Sequence, residues 1–420
     1  MAPAVRTFGP DHRENRHGAD SGYHSLVDHG ETGVVPGPPR RLRVLLVIKG
    51  LGLGGAERLL VDTVTSGDRE RVDYEVAWVL QDVAALVPTL EQRGVLVHPL
   101  GATGNADMRW TGRLRRLLRA GRYDVVHFHL PHTAALGRLV AVSLPRAERP
   151  AIVYTEHSLW NKMAVAVRLV NRAGIGLDQS LIVVSDAAHQ ALPRALRPRA
   201  RVIVHGVDLS ASDALVADRD RIRAEVRAEL EVPDGDLVAL TVANLRPEKG
   251  YDTLLDAARL VLDRDLPVRF VSVGIGSEAD AMTERHRALG LGDRFTFLGL
   301  RQDVLRLLVA ADLFVLPSRQ EGLPVVLMEA TSVGLPIVAT AVGGVPQVLT
   351  DGVDGLVVPP DSPADLADGV VRLATDPDLR RRLGAGARAR SAMFDVAEAA
   401  RQIEGIYRDI TGTAVAGADA

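Results

Sequence analysis

Residues 313–330 read Leu-Phe-Val-Leu-Pro-Ser-Arg-Gln-Glu-Gly-Leu-Pro-Val-Val-Leu-Met-Glu-Ala. Leu313–Pro317 is an unbroken apolar run, as expected of a parallel strand covered on both faces. Gly322 lets a backbone come close to a ligand. Pro324 fits the first position of a helix, where its missing N–H costs nothing. The N–H groups of Leu323 and Val325 then lie at the helix's positive end, which makes an anion site. Glu321 precedes the helix and Glu329 lies inside it, eight positions later.

The same strand–loop–helix unit recurs on both sides. Expected strands are Val44–Ile48, Tyr74–Leu80, Val95–Leu100, Val125–His129, Ile152–Glu156, Leu181–Ser185 and Val202–His205. A second series is Val238–Ala243, Val268–Val273, Arg294–Leu298, Leu313–Pro317, Pro336–Thr340 and Leu356–Val358. Strand–helix alternation implies right-handed crossovers. The fold class is therefore α/β, with two Rossmann-like doubly wound domains facing across a cleft. Charged, Ala-rich residues 209–235 break the alternation and read as a linker with a helix leading into the second domain. The expected boundaries are a first domain over 41–208, a second over 236–390, and a C-terminal helix over 391–410 crossing back to the first. Residues 1–40 and 411–420 read as disordered tails, and the former holds His12, His17, His24 and His29. Ligands of such sheets bind outside the carboxyl ends of the strands.

Composition narrows the function. Fifty basic residues face 53 acidic ones, a net charge of −3, which argues against a nucleic-acid binder that works by phosphate neutralisation. Arg supplies 47 of the fifty, and the three Lys are Lys49, Lys162 and Lys249. With no Cys, disulfide scaffolds, zinc fingers, iron–sulfur centres and thiol nucleophiles are excluded. No apolar stretch follows Met1, so no signal peptide is expected. Leu323–Pro346 has one charge, but Gly334, Pro336 and Gly343–Gly344 break it into shorter pieces than a membrane span requires. A cytoplasmic location follows as the expectation.

Several loops leave strand ends with reactive side chains. Gly50, Gly52 and Gly55 satisfy a GxGxxG spacing before a helix, which suits a phosphate. A dinucleotide site also wants an acidic residue about 20 positions on; Asp82 is the nearest candidate and lies further away. Arg246 and Lys249, in Asn244-Leu245-Arg246-Pro247-Glu248-Lys249-Gly250, suit a diphosphate, or else lie on a solvated turn. His157, in Thr155-Glu156-His157, can donate a hydrogen bond to a leaving or sugar oxygen, or simply cap a loop. His127, His129 and His132 have packing and loop roles.

Glu321 and Glu329 invite comparison with a glycosidase pair. Eight helical residues span ~12 Å, beyond the ~5–9.5 Å that glycoside hydrolysis uses. One Glu for a sugar and one for a ribose is the better division, since carboxylates accept from paired hydroxyls. Arg109–Arg122 is a basic amphipathic helix, either a solvated face or a peripheral contact with an anionic membrane. The Asp-x-Asp pairs at 218, 234, 263 and 376 lie away from strand ends and read as incidental.

Together these residues resemble glycosyltransferase family 4, retaining enzymes of the two-Rossmann GT-B architecture, over residues 41–410. The resemblance rests on Gly54-Gly55-Ala56-Glu57, Thr155-Glu156-His157, the Arg246–Gly250 loop and, most specifically, the Glu321 to Glu329 segment. Lesser marks are His205-Gly206-Val207-Asp208, Ala311–Ser318 and Asp354–Pro360. Asn244 stands where the family usually has Arg, so Arg246 must supply that charge. His205 replaces a familiar Asn, and Gln347 a common Glu.

The resemblance implies a nucleotide-diphosphate sugar as co-substrate, with Arg246 and Lys249 neutralising its diphosphate and Glu329 holding the ribose. Glu321 and the amides of Gly322, Leu323, Pro324 and Val325 as a segment would hold the sugar and β-phosphate. Gly55 would lie against the diphosphate, the Leu300–Arg301 turn would receive the base through its backbone, and His157 would contact the sugar. The catalytic set would be His157, Glu321 and Lys249, with no protein nucleophile, cofactor or metal. The expected activity is transfer to a glycan, lipid-linked or small-molecule acceptor. A nucleotide-sugar epimerase, a phosphorylase or a non-catalytic nucleotide-sugar binder are the alternatives on this architecture.

Overall fold

The computed structural model describes residues 40–160 and 163–412. Nearly all of both tails, the four tail histidines and Lys162 lie outside them. The first half runs β1 (Leu42–Ile48), α1 (Gly55–Ser66), β2 (Val72–Leu80), α2 (Val87–Gln92), β3 (Leu96–Ala102), α3 (Arg109–Gly121), β4 (Val125–His129), α4 (Pro131–Val142), β5 (Ala151–Glu156), α5 (Val165–Gly174), β6 (Ser180–Val183), α6 (Asp186–Ala191) and β7 (Ala200–Val202). The chain then crosses over and continues through α7 (Leu209–Ala217) and α8 (Arg219–Glu229). The second half runs β8 (Leu237–Val242), α9 (Tyr251–Leu262), β9 (Val268–Val273), α10 (Ala279–Ala288), β10 (Phe295–Phe297), α11 (Val304–Ala310), β11 (Leu313–Leu316), α12 (Val325–Ser332), β12 (Ile337–Thr340), α13 (Val345–Val348) and β13 (Leu356–Val358). Then come α14 (Pro363–Thr375), α15 (Pro377–Arg390) and α16 (Val396–Thr411).

Two all-parallel sheets result, ordered β3-β2-β1-β4-β5-β6-β7 and β10-β9-β8-β11-β12-β13. The order reverses between β1 and β4 and between β8 and β11, and there the strand ends open a crevice. Helices cover both faces, so strands such as β4, β11 and β12 are buried at every residue. That explains their continuous apolar sequences. One strand differs from expectation: β7 ends at Val202, although Ile203 still donates to Val183 O at 3.0 Å.

The segment 209–235, expected to be a linker with a helix, holds two helices, α7 and α8, and packs on the second domain. Ile222 and Val226 of α8 join the core formed by Leu240, Val271 and Leu307. Arg223 donates to Asp312 Oδ1 and to the Ala310 carbonyl, each at 2.7 Å. The chain crosses between the sheets at 206–208, where Val207 N–H donates to Phe394 O at 2.8 Å and Val396 N–H to Val207 O at 3.2 Å. The outgoing and returning strands thus run side by side, and any hinge lies there.

After this crossing α16 packs on the first sheet. Ala399, Ile403, Ile406 and Tyr407 share a core with Leu60, Val64 and Tyr74. Tyr407 Oη lies 2.6 Å from His127 Nδ1, and His127 Nε2 lies 2.7 Å from Thr155 Oγ1. α3 is the basic amphipathic helix expected over 109–122. Trp110, Leu114 and Leu118 are buried in the core with Val126 and Phe128. Its apolar face is used inside the protein, leaving only its basic edge to solvent.

A buried polar chain supports the loop that carries His157. Fully buried Arg138 donates to both oxygens of Asp178 at 2.7 Å, and to Asn171 Oδ1. Asn171 donates to Tyr154 Oη at 3.1 Å, and Tyr154 donates to Glu156. Glu156 also accepts from Ser158 N–H at 2.9 Å, and burial pushes its carboxyl up to about 7. Breaking such a chain strands a buried charge. Arg138→Met should cost about 3–5 kcal/mol in urea unfolding; a loss below about 1 kcal/mol would show the chain to be dispensable.

Candidate active site

The ends of the two sheets enclose a cleft of about 530 Å³, within the usual range for small-molecule sites. Gly55, His157, Arg246, Lys249, Leu300, Arg301, Glu321, Gly322, Leu323, Pro324, Val325 and Glu329 all line it. They come from loops and helices up to 274 positions apart in the chain, from Gly55 to Glu329.

α1 and α12 bring their first turns together at the cleft. A Cβ on Gly55 would lie 3.3 Å from Val325 Cγ2. Both helices begin without a side-chain cap, so their first amides are free for an anion. One expectation needs correcting. Pro324 has extended backbone and precedes the helix, which starts at Val325. The free amides at the helix start are therefore those of Val325 and Val326. The loops meet closely at Gly322, where a Cβ would lie 2.8 Å from the His157 carbonyl oxygen.

Lys249 is positioned through Gly250. That glycine has φ +65°, and a Cβ there would lie 2.2 Å from Pro317 O. The two loops can touch only because the side chain is missing. Lys249 Nζ then donates to both oxygens of Glu321, at 2.7 and 2.8 Å, and Ser318 Oγ donates to Glu321 at 2.6 Å. Arg246 is 60% exposed, and its nearest carboxylate, Glu248, is 4.0 Å away. It has freedom to turn onto a ligand.

Glu329 is bound by a residue that the sequence reading passed over. Arg58 of α1 donates to Glu329 Oε1 at 3.0 Å, linking the two halves across the cleft. The signal was Arg58's place directly after Gly54-Gly55-Ala56-Glu57. Burial pushes the Glu329 carboxyl up, and Arg58 pulls it back. Asp62, one turn along α1, is pushed up to about 7 by burial, then by Glu329, with Arg58 opposing. Burial also raises Glu57.

His157 behaves differently from a group titrating near neutrality. Its Nε2 lies 3.0 Å from His129 Nδ1, and burial followed by neighbouring His129 and His205 holds its pKa well below 6.5. At neutral pH it is an uncharged imidazole, able to hydrogen bond without adding charge. Leu300 is 52% exposed. Arg301 is tied to Asp303 and Glu229 at 2.6–2.7 Å, which leaves its backbone as the part able to meet a ligand. None of the four Asp-x-Asp pairs lines the cleft. Among the described residues no group of three or more His, Asp or Glu is arranged to hold a metal.

Two parallel-sheet α/β domains meeting at such a cleft define the GT-B class of glycosyltransferases. Residues 222–390 match the model described as glycosyl transferases group 1, and residues 53–211 that of glycosyltransferase family 4. The alpha-D-kanosaminyltransferase of Streptomyces kanamyceticus is 30% identical over 326 residues, covering 74% of this chain and 84% of the relative. A D-inositol 3-phosphate glycosyltransferase of Frankia alni is 33% identical over 314 residues, covering 69% and 74%. Among solved structures, Anabaena HepE in complex with UDP-glucose matches with TM-score 0.74 at 23% identity, covering 88% of this chain and all of that one. The chain belongs to glycosyltransferase family 4.

Removing Arg58 leaves Glu329 buried with nothing opposing its protonation. In Arg58→Ala the Glu329 pKa should rise further, so the carboxylate is lost at higher pH. Calorimetric affinity for the best-binding nucleoside diphosphate should then fall at least ~5-fold more between about pH 8 and about pH 6 than in the wild type. Equal pH profiles would remove the Arg58–Glu329 pair from the site.

Proposed function

We propose that this glycosyltransferase is a retaining enzyme that moves a hexose from a nucleotide-diphosphate sugar to a hydroxyl of a glycan, lipid-linked or small-molecule acceptor. The observation that carries the reading is Lys249, held by Glu321, which Ser318 also binds, in the cleft that the uncapped starts of α1 and α12 line as well. That arrangement suits a leaving diphosphate. UDP-glucose, bound by HepE, is the first donor to test.

In this reading Lys249, Arg246 and the amides of Val325 and Val326 stabilise the charge that grows as the bond from sugar C1 to the phosphate oxygen breaks. Glu321 accepts from sugar hydroxyls, Glu329 from the ribose, and His157 hydrogen bonds the sugar as a neutral group. The backbone of Leu300 and Arg301 meets the base, and Gly55 gives room for the diphosphate. The acceptor oxygen bonds to C1 on the face that the diphosphate leaves, and its proton passes to a phosphate oxygen. Both carboxylates are held by cations, which supports a mechanism without a protein nucleophile. No divalent metal takes part.

Lys249→Ala and Glu321→Ala should each lower turnover about 10²–10³-fold or more with the fold retained. Transfer should continue in a chelator, and the product's anomeric configuration, read by NMR, should match the donor's. Full activity in either folded variant, strict metal dependence or an inverted product would each overturn the reading.

A further inference from the structure

The outer face of α5 is inverted for a helix in water. It turns Asn171 inward to Arg138 and Tyr154, while Val165, Leu169 and Val170 face out at 60%, 61% and 49% exposure. Ala166 and Ala173 are exposed in the same stripe. At roughly 100° per residue these five positions cover an arc of roughly 140°. α4 packs beside α5 and adds Leu139, 54% exposed. A stripe of this kind marks a surface that meets something apolar.

Charge selects the partner. Residues 107–178 contain twelve basic residues and five acidic ones, a net charge of +7 in a chain whose total is −3. The buried Arg138–Asp178 pair cancels, and Glu156 is buried as well. Arg168 and Arg172 border the stripe and have no carboxylate partner among the described residues. Two copies meeting here would bring two strongly positive segments together. An anionic bilayer offers the complementary pattern, apolar within and negative at its surface.

We propose that α5 is a membrane-surface anchor, with Val165, Leu169 and Val170 in the interface of an anionic bilayer and Arg168 and Arg172 against lipid phosphates. α5 begins eight residues after His157, so the anchor holds the first-domain side of the cleft at the headgroups. A lipid-linked acceptor is presented there. The inference goes beyond the transfer reading, and its readout does not depend on turnover.

The test is co-sedimentation of the full chain with phosphatidylcholine vesicles, with and without one third phosphatidylglycerol. Wild type should partition at least ~10-fold more onto the anionic vesicles, and high salt should weaken the binding. Leu169→Asp should abolish it, and the pair Arg168→Glu with Arg172→Glu should weaken it at least ~10-fold. UDP binding should stay unchanged in all variants, which separates this result from any failure of the transfer reading. The proposal is overturned if wild type stays in the supernatant or if Leu169→Asp binds like wild type. It is equally overturned if light scattering shows Leu169→Asp dissolving a dimer that binds no vesicles.

Discussion

Two helix N-termini come together at one cleft, and the rest of the site follows from that. Each macrodipole puts about half a positive charge at its start, and low-dielectric walls strengthen the combined field. Without an anion the arrangement has to be balanced from within. Glu321 holds Lys249, Glu329 holds Arg58, and Glu57 sits in the first turn of α1 with Arg246 as its Coulombic partner. In the proposed reading a diphosphate takes Lys249 over from Glu321 and draws in the exposed Arg246, while the Arg58–Glu329 pair stays beside the ribose. The incoming ligand therefore exchanges one set of ion pairs for another instead of desolvating bare charges.

The chain's path makes this exchange compatible with motion. The two halves are joined by paired segments at 206–208 and 394–396, not by a loose tether. Helices α7 and α8 belong to the second half, and α16 to the first. The Arg58–Glu329 bridge and this short, hydrogen-bonded crossing both link the two halves. In the proposed reading, closure over a donor requires φ/ψ changes at only a few residues.

The sequence made the strands legible because burial on both faces leaves near-continuous apolar runs, and all thirteen are present. The cleft residues were legible because each follows a strand end. What escaped the reading depends on long-range pairing. Arg58 meets Glu329 271 positions away, and Arg223 meets Asp312 89 positions away. In sequence both look like solvated helix charges, which is why 209–235 read as a linker. α3 was legible as a basic amphipathic helix, but such a pattern tells that a face is buried, not what buries it. α5 escaped because its buried polar position, Asn171, gets its meaning from Arg138, 33 positions earlier.

The two walls of the cleft contribute different groups. The second domain contributes Arg246 and Lys249. The first contributes Arg58, already paired with Glu329, and the uncharged His157, backed by His129, His127 and His205. Burial holds all four imidazoles below their ordinary pKa, His205 at about 4. A charged imidazole beside the sugar would compete with the cations for the diphosphate; a neutral one orients hydroxyls without moving the leaving group. The use of lysine fits the same division. In a chain with 47 Arg and three Lys, the motif cation is Lys249. A guanidinium would bind Glu321 bidentately through a planar fork. An ammonium is a compact point charge with three rotatable donors, better suited to leaving a carboxylate for a phosphate.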